Sequence, residues 1–169
     1  MDSATKEQEV TPFWLSALGL VGWIILSFAA AGVGSSFTVP QIDTWYAGLE
    51  KPSFNPPNWI FGPVWSTLYL MMAVAVWLIW KNAGWTNAPH SLGMWCFQLL
   101  LNTTWSVIFF GLENPTLAAF EIVVLWISIL ITIVAFWRHN RFASLLMVPY
   151  LLWVSFATTL NISIAALNS

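Results

Sequence analysis

Long apolar segments separated by short polar ones run through this chain of 169 residues. Charge-free stretches cover residues 10–42, 52–80, 82–112 and 142–169. A helix needs roughly 20 mostly apolar residues to cross the hydrocarbon core of a bilayer, and these runs are continuous rather than alternating. The pattern therefore predicts five membrane-spanning helices, at about residues 13–36, 63–81, 91–110, 115–137 and 142–166.

The connections between these segments indicate how the helices are arranged. Three connections are short, at residues 81–90, 111–114 and 138–141, and short links make consecutive helices antiparallel neighbours. We therefore expect an all-α membrane protein in which residues 13–169 form one five-helix bundle. Residues 1–12 are predicted to form a short polar tail, because their mixed charges are unlike the basic start of a signal peptide.

The composition excludes several other classes of protein. Hydrophobic residues make up 59% of the chain and charged residues only 7%, with a net charge of −2, whereas a soluble domain carries about 25% charged residues. An ordinary soluble domain, a disordered chain and a nucleic-acid-binding protein are therefore excluded. Lys6, Lys81, Arg138 and Arg141 lie on the side of the N-terminus, and only Lys51 lies opposite. This asymmetry predicts a cytoplasmic N-terminus, in a bacterial cell membrane.

The connection over residues 37–62 is much longer than the others. Loops of more than about 12–15 residues without structure are uncommon, and they are usually functional or disordered. Its backbone is restricted by four prolines, Pro40, Pro52, Pro56 and Pro57. Its apolar side chains favour burial over exposure: Trp45, Tyr46, Leu49, Phe54, Trp59, Ile60 and Phe61. A disordered linker is the alternative, but this composition favours a structured loop that acts as a lid on the bundle.

Polar side chains share helical faces with large aromatic rings in three of the predicted helices. In the third helix the shared face, built at steps of three and four residues, holds Trp95, Gln98, Asn102, Trp105 and Phe109. Unpaired amides are costly in hydrocarbon, so this face is predicted to look inward. The second and fifth helices carry similar stripes: Trp65, Tyr69 and Met72, then Tyr150, Trp153, Ala157 and Asn161.

Two interpretations of these faces remain open. The amides can join helices by hydrogen bonds in a packed core, and each such bond contributes about 1 kcal/mol. The residue types alone favour this packed core. A binding pocket needs the same ingredients, namely aromatic walls and a few convergent polar groups. The aromatic loop above the bundle favours the pocket.

The remaining tryptophans and titratable groups give weaker signals. Glu121 lies about two turns into the fourth helix, as either a functional carboxylate or one stabilised by the positive start of the helix. Trp23 and Trp126 are mid-span and could face lipid, a neighbouring helix or a partner chain. His90 and His139 lie in predicted loops, so no metal site is expected. Five tryptophans near helix ends are expected in the interfacial aromatic belt: Trp14, Trp77, Trp80, Trp85 and Trp137.

Three sequence segments carry a resemblance to a known family. The longest reads Trp45-Tyr46-x-x-Leu49-x-Lys51-Pro52-x-x-x-Pro56-Pro57-x-Trp59-x-Phe61-x-x-Val64-Trp65-x-x-Leu68-Tyr69. The others are Leu101-Asn102-x-x-Trp105-Ser106 with Phe109-Phe110-Gly111, and Pro149-Tyr150-Leu151-x-Trp153-Val154-x-Phe156-Ala157 with Leu160-Asn161. Over about residues 13–166 the chain resembles the translocator protein family, also called the tryptophan-rich sensory protein or peripheral benzodiazepine receptor type (TspO/MBR).

The resemblance implies a pocket for a flat aromatic ligand inside the bundle, under the first loop. The implied ligand is protoporphyrin IX or a similar tetrapyrrole, with no required cofactor. Since no His lies in a predicted membrane helix, a metal-free porphyrin or a haem held by its face and propionates is favoured over axial ligation. Lys51 could pair with a propionate or be a solvated loop charge. The residues expected at the ligand are Tyr46, Pro52, Pro57, Trp65, Tyr69, Gln98, Asn102, Trp105, Tyr150, Trp153 and Ala157.

The resemblance also implies partners, namely membrane lipid and a second copy of the chain in a homodimer. The first predicted helix carries small residues four apart, Ala30 with Gly34 and Gly32 with Ser36. Such pairs permit close approach of another helix, either from a partner chain or from the same chain.

Three activities are compatible with this resemblance. The leading expectation is a tetrapyrrole-binding membrane protein that acts in sensing, regulation or trafficking. The first alternative is a light-dependent porphyrin-degrading enzyme with Trp65 and Trp153 as candidate catalytic residues. The second is a transporter of porphyrins, lipids or steroids, although the cholesterol-recognition pattern of the mammalian relatives is missing after Asn161.

Overall fold

Five long helices dominate the computed structural model, which describes residues 12–168. All five are long and apolar enough to cross a membrane, and the described residues contain no strand. This confirms the prediction of an all-α, five-helix membrane protein. The helices are α1 (Phe13–Ile42), the one-turn α2 (Trp45–Gly48), α3 (Phe61–Asn87), α4 (Pro89–Ser106), α5 (Pro115–Trp137) and α6 (Arg141–Leu167), with a 3₁₀ turn at Asn58–Ile60 and a π-helical turn at Val107–Gly111.

Two helices are longer than their predicted bounds. The first was expected to end at residue 36, but α1 continues through Pro40 to Ile42. The proline lies in the last turn of α1 and lacks the N–H that would donate to the Ser36 carbonyl, and the Thr44 hydroxyl donates to the Pro40 carbonyl (3.0 Å). The second helix was expected to end at residue 81, but α3 reaches Asn87 by way of a kink at Gly84, whose φ of 64° favours glycine. The first loop therefore spans residues 43–60 rather than 37–62.

The helices form a closed ring in the order α1, α3, α6, α5, α4. Each packs against the next, and α4 packs back against α1. Buried apolar side chains such as Met72, Ile79, Trp95 and Met147 fill the interior. We call the end of the bundle that carries residues 43–60 the loop end.

Away from the loop end, α1 and α3 are in close contact. The six-membered ring of Trp80 lies against Gly19, where a Cβ atom would come within 2.2 Å of it, and Trp77 donates its indole N–H to the Ser16 carbonyl (2.8 Å). These two tryptophans therefore join α1 to α3, and their place in the aromatic belt stays a prediction. The mid-span Trp23 faces a neighbouring helix, with an edge contact to Trp95 of α4 (5.3 Å).

The first loop is structured by contacts of its own and by packing on the helix ends. Tyr46 is buried and donates its hydroxyl to the Asn55 side-chain oxygen (2.9 Å), and burial raises the pKa of this phenol more than the hydrogen bond lowers it. The Tyr46 ring packs on Phe110 (5.7 Å between centroids), and Trp45 makes an edge contact with Phe109 (5.5 Å). The loop therefore covers part of the loop end, while its action as a lid stays a prediction.

A reciprocal pair of hydrogen bonds ties the loop to the end of α6. The Glu50 backbone N–H donates to the side-chain oxygen of Asn168 (3.0 Å), and the Asn168 amide donates back to the Glu50 carbonyl (2.9 Å). Since these residues are 118 positions apart, this pair fixes one long-range anchor point of the loop.

Loss of this anchor is expected to loosen the loop without unfolding the bundle. In Asn168→Ala, residues 45–58 should exchange their amide hydrogens about fivefold faster, because exposed hydrogen bonds of this kind contribute about 1 kcal/mol together. Hydrogen–deuterium exchange in detergent micelles measures this. The matched control is Asn140→Ala, which removes the Asn cap at the other end of α6 and should leave loop exchange unchanged. Equal loop exchange in both variants would contradict the anchor.

Candidate functional site

A cavity of about 610 Å³ lies inside the ring at the loop end. Residues of α1, α3, α4 and α6 line it, together with Phe109 and Phe110 of the π-helical turn and three residues of the first loop, whereas α5 contributes none. Its size falls in the range of pockets for small-molecule ligands, about 300–1,000 Å³. No residue that lines it carries a charge.

Aromatic rings from three helices form much of the cavity wall. Trp65 and Tyr69 stand one turn apart on α3, with ring centroids 5.6 Å apart. On α4, Trp105 stacks on Phe109 at 5.0 Å with an angle of 24° between the planes. Trp153 of α6 makes an edge contact with Phe61 (6.0 Å). Such faces offer broad, flat contact to an aromatic ligand.

Two asparagines supply the buried polar groups of the wall, and both are hydrogen-bonded across helices. The Tyr69 hydroxyl donates to the side-chain oxygen of Asn102. The Trp105 indole donates to the side-chain oxygen of Asn161 (2.9 Å), and the Asn161 amide donates to the Pro115 carbonyl at the start of α5 (2.8 Å). These bonds fix the positions of two rings of the wall, so the site is largely formed before any ligand arrives.

The structure brings most of the sequence-predicted site residues together. Seven of them line the cavity: Tyr46, Trp65, Tyr69, Asn102, Trp105, Trp153 and Ala157. The indole N–H of Trp153 has no hydrogen-bond partner among the described residues. This arrangement favours the pocket over the alternative of a core without a cavity.

Four other predicted residues do not reach the cavity wall: Pro52, Pro57, Gln98 and Tyr150. Gln98 is fully buried beside Met72, one turn below Asn102 on α4. Tyr150 is also fully buried, next to the Asn102 amide, and its hydroxyl makes no hydrogen bond within residues 12–168. The two prolines lie in the loop. Helical periodicity assigns residues to one face, but it does not say how deep along that face the cavity extends.

One wall of the cavity was missed by the sequence reasoning. It belongs to the loop-end half of α1 and includes Phe28, Gly32, Ser35 and Val39. Small side chains do not indicate a binding site in a sequence, and Gly32 and Gly34 are interpreted there as positions of close helix packing. That interpretation suits Gly34, which packs within the same chain, because a Cβ there would lie 3.1 Å from the Ser106 hydroxyl of α4.

Two charged candidates lie apart from the cavity. The Lys51 ammonium donates to the Leu49 carbonyl (2.9 Å) and lies 4.7 Å from the centre of the Tyr46 ring. Both carboxylate oxygens of Glu121 are buried without a hydrogen-bond partner in residues 12–168. The same residues contain no cluster of three or more His, Cys, Asp or Glu side chains that could hold a metal ion.

Comparisons with known proteins agree over almost the whole bundle. Residues 23–167 match the model of the TspO/MBR family. The chain is similar to the tryptophan-rich protein TspO of Archaeoglobus fulgidus, with 43% identity over 92% of this chain and 100% of that protein. It is similar to the tryptophan-rich protein TspO of Chlorobaculum tepidum, with 45% identity over 85% of this chain and 91% of that one. It is also 38% identical to the human translocator protein, over 90% of this chain and 89% of that protein.

Proposed function

Because the chain belongs to the TspO/MBR family of membrane proteins, we propose that its cavity binds a tetrapyrrole such as protoporphyrin IX within the membrane. The observation that carries this proposal is the uncharged cavity of about 610 Å³ with aromatic walls from α3, α4 and α6. The protein would thereby act in porphyrin sensing, regulation or trafficking.

The shape and chemistry of the wall support a large flat ring rather than a chain-like ligand. Trp65 and Tyr69 face the cavity from one helix, and Trp105 and Trp153 face it from two others. A planar aromatic ligand gains offset-stacked or edge contacts from such rings, each contributing about 0.5–1.5 kcal/mol beyond the burial of area. A flexible, chain-like ligand would gain only the free energy from burial of its apolar area.

The polar groups support a ligand that is held at its edge. Asn102 and Asn161 place amides in the wall, and a few convergent polar groups in an apolar pocket fix the orientation of a ligand. The wall holds no His, so the proposed binding uses ring faces and amides, and it requires no axial ligand to a metal.

Loss of one indole from the wall is expected to weaken porphyrin binding. Trp65→Ala should raise the dissociation constant for protoporphyrin IX about 10- to 100-fold, because it removes ring contacts and about 2 kcal/mol of apolar burial. A titration in nanodiscs, followed by the visible absorption of the porphyrin, measures this.

Trp14→Ala is the matched control, because Trp14 is 61% exposed near the start of α1 and does not line the cavity. Its affinity should equal that of the unaltered chain. Equal affinities in all three proteins would place porphyrin outside the cavity and refute the proposal. Saturable binding that is lost only in Trp65→Ala would support it.

Photochemical degradation of the ligand is the second candidate, since the two indoles it would use, Trp65 and Trp153, line the same cavity. Illumination of the complex in aerated buffer should then yield a defined product. A product that still forms in the Trp65→Phe/Trp153→Phe variant would count against this activity.

A further inference from the structure

The wall of the cavity between α1 and α3 is open at the loop end. Six residues on the two helices line the cavity and are exposed at the same time: Phe28, Gly32, Ser35 and Val39 on α1, then Gly62 and Ser66 on α3. Val39 is 63% exposed, which is more than a side chain facing only an enclosed space would show. Trp59, at 74% exposure, stands at the same rim.

Glycine environments show which elements α1 contacts in each half of the bundle. At the loop end α1 lies against α4, since Gly34 faces Ser106 closely and the ring of Phe37 lies against Gly111. By contrast, a Cβ atom at Gly32 or at Gly62 would meet nothing within 4 Å. In the other half of the bundle α1 and α3 touch through Gly19 and Trp80. The close contacts of α1 at the loop end are therefore with α4 and the π-helical turn, while the Gly32 and Gly62 positions leave open space.

The gap is bounded at both ends. Phe28 of α1 and Tyr69 of α3 are in ring contact (6.3 Å) on the side away from the loop. On the other side the first loop connects the end of α1 to the start of α3, and the Glu50–Asn168 pair holds this loop to α6. In a bilayer, the remaining opening faces sideways, towards the acyl chains.

We propose that this gap is a lateral portal, through which a ligand dissolved in the bilayer enters the cavity between α1 and α3. The ligand class is a flat, mostly apolar molecule with polar substituents at its edge, so the inference rests on the proposed function for the identity of the ligand. The uncharged wall and the small residues Gly32, Ser35, Gly62 and Ser66 of the rim suit the passage of a flat, mostly apolar ring.

A cysteine-labelling experiment tests the route without any tetrapyrrole, so its outcome is separate from the binding proposal. The single cysteine of the chain, Cys96, lies outside the cavity wall and is replaced in a Cys96→Ala background. Ala157→Cys then places one thiol in the wall. The protein is reconstituted in nanodiscs, and the membrane-dissolved reagent N-(1-pyrenyl)maleimide is added.

The bulky side chain in Gly32→Trp should block the portal. The labelling rate of the introduced thiol should then fall on the order of tenfold. Gly22→Trp is the matched control, since Gly22 also lies on α1 with nothing within 4 Å of a Cβ but does not line the cavity. Its labelling rate should equal that of the background. Gly62→Trp, on the opposite rim, provides a second plug in case the first variant does not fold.

Methyl methanethiosulfonate, which is small enough to pass a narrowed opening, should label all variants at similar rates and so show that the thiol itself is not blocked. Equal pyrenylmaleimide rates in the folded plug and control variants would overturn the portal. The portal would also be overturned if labelling became faster in Asn168→Ala and stayed unchanged in Gly32→Trp and Gly62→Trp. The reagent would then enter under the first loop.

Discussion

Replacement of Asn161 by alanine is expected to lower the free energy of unfolding by about 2–4 kcal/mol. The side chain is 1% exposed and joins three helices. Its oxygen accepts from Trp105 of α4, and its amide donates to the Pro115 carbonyl of α5. The truncation removes both bonds, leaves the part-buried indole N–H of Trp105 without its acceptor, and separates α6 from the start of α5.

Unfolding by sodium dodecyl sulfate in bicelles, followed by circular dichroism, measures this loss. Asn82→Ala is the control, because Asn82 is exposed on α3 and should change stability by less than about 0.5 kcal/mol. A double-mutant cycle with Trp105→Phe should show a coupling of about 0.5–2 kcal/mol. If Asn161→Ala and Asn82→Ala are equally stable, the three-helix junction contributes nothing and its hydrogen bonds are not formed in the membrane.

A leucine at Gly19 is expected to destabilise the bundle by about 2–3 kcal/mol, because it overpacks the contact between α1 and α3. Even the first added carbon would come within 2.2 Å of the Trp80 ring. The ring is held between two helices and is too large to move aside without a change of rotamer. Thermal unfolding in detergent, monitored by circular dichroism, reports the effect as a lower midpoint.

Gly22→Leu is the matched control, three residues along the same helix, where an added Cβ meets nothing within 4 Å. It should be neutral or slightly stabilising, since leucine has a higher helix propensity than glycine by about 0.8 kcal/mol. Equal midpoints for the two leucine variants would mean that the Trp80 ring turns away and that the contact is not required.

The membrane helices could be predicted because hydropathy depends on single residues and not on their neighbours in space. The bounds of α5 agree with the prediction, and those of α6 differ by one residue. The end of α1 was missed because a run of small, hydroxyl-bearing residues before a proline is compatible with either a helix or a loop. Contact between Phe37 and Gly111, which supports the last turns, is not visible in the sequence.

The candidate site could be predicted only in part, because the sequence shows the faces of single helices but not the contacts between helices. Periodicity on single helices placed Trp65, Asn102 and Trp153 on inward faces, and the family resemblance assigned them to a pocket; all three line the cavity. Periodicity could not show that α1 forms a wall of the cavity, because close contacts at Gly34 and Gly111 hold the end of α1 against α4 and the π-helical turn. The wall formed by α1 follows from these contacts and not from any residue type that signals binding.

The absence of α5 from the cavity wall has a consequence for how this sequence can diverge. Its outward side chains, among them Phe120, Val124, Ile127 and Ile131, are exposed on the bundle, and any apolar residue of adequate helix propensity meets their requirements. Mutational drift should therefore accumulate on this face without loss of ligand recognition. The same face is a suitable point to attach a fluorophore or an affinity handle, since a group placed there leaves the recognition surface intact.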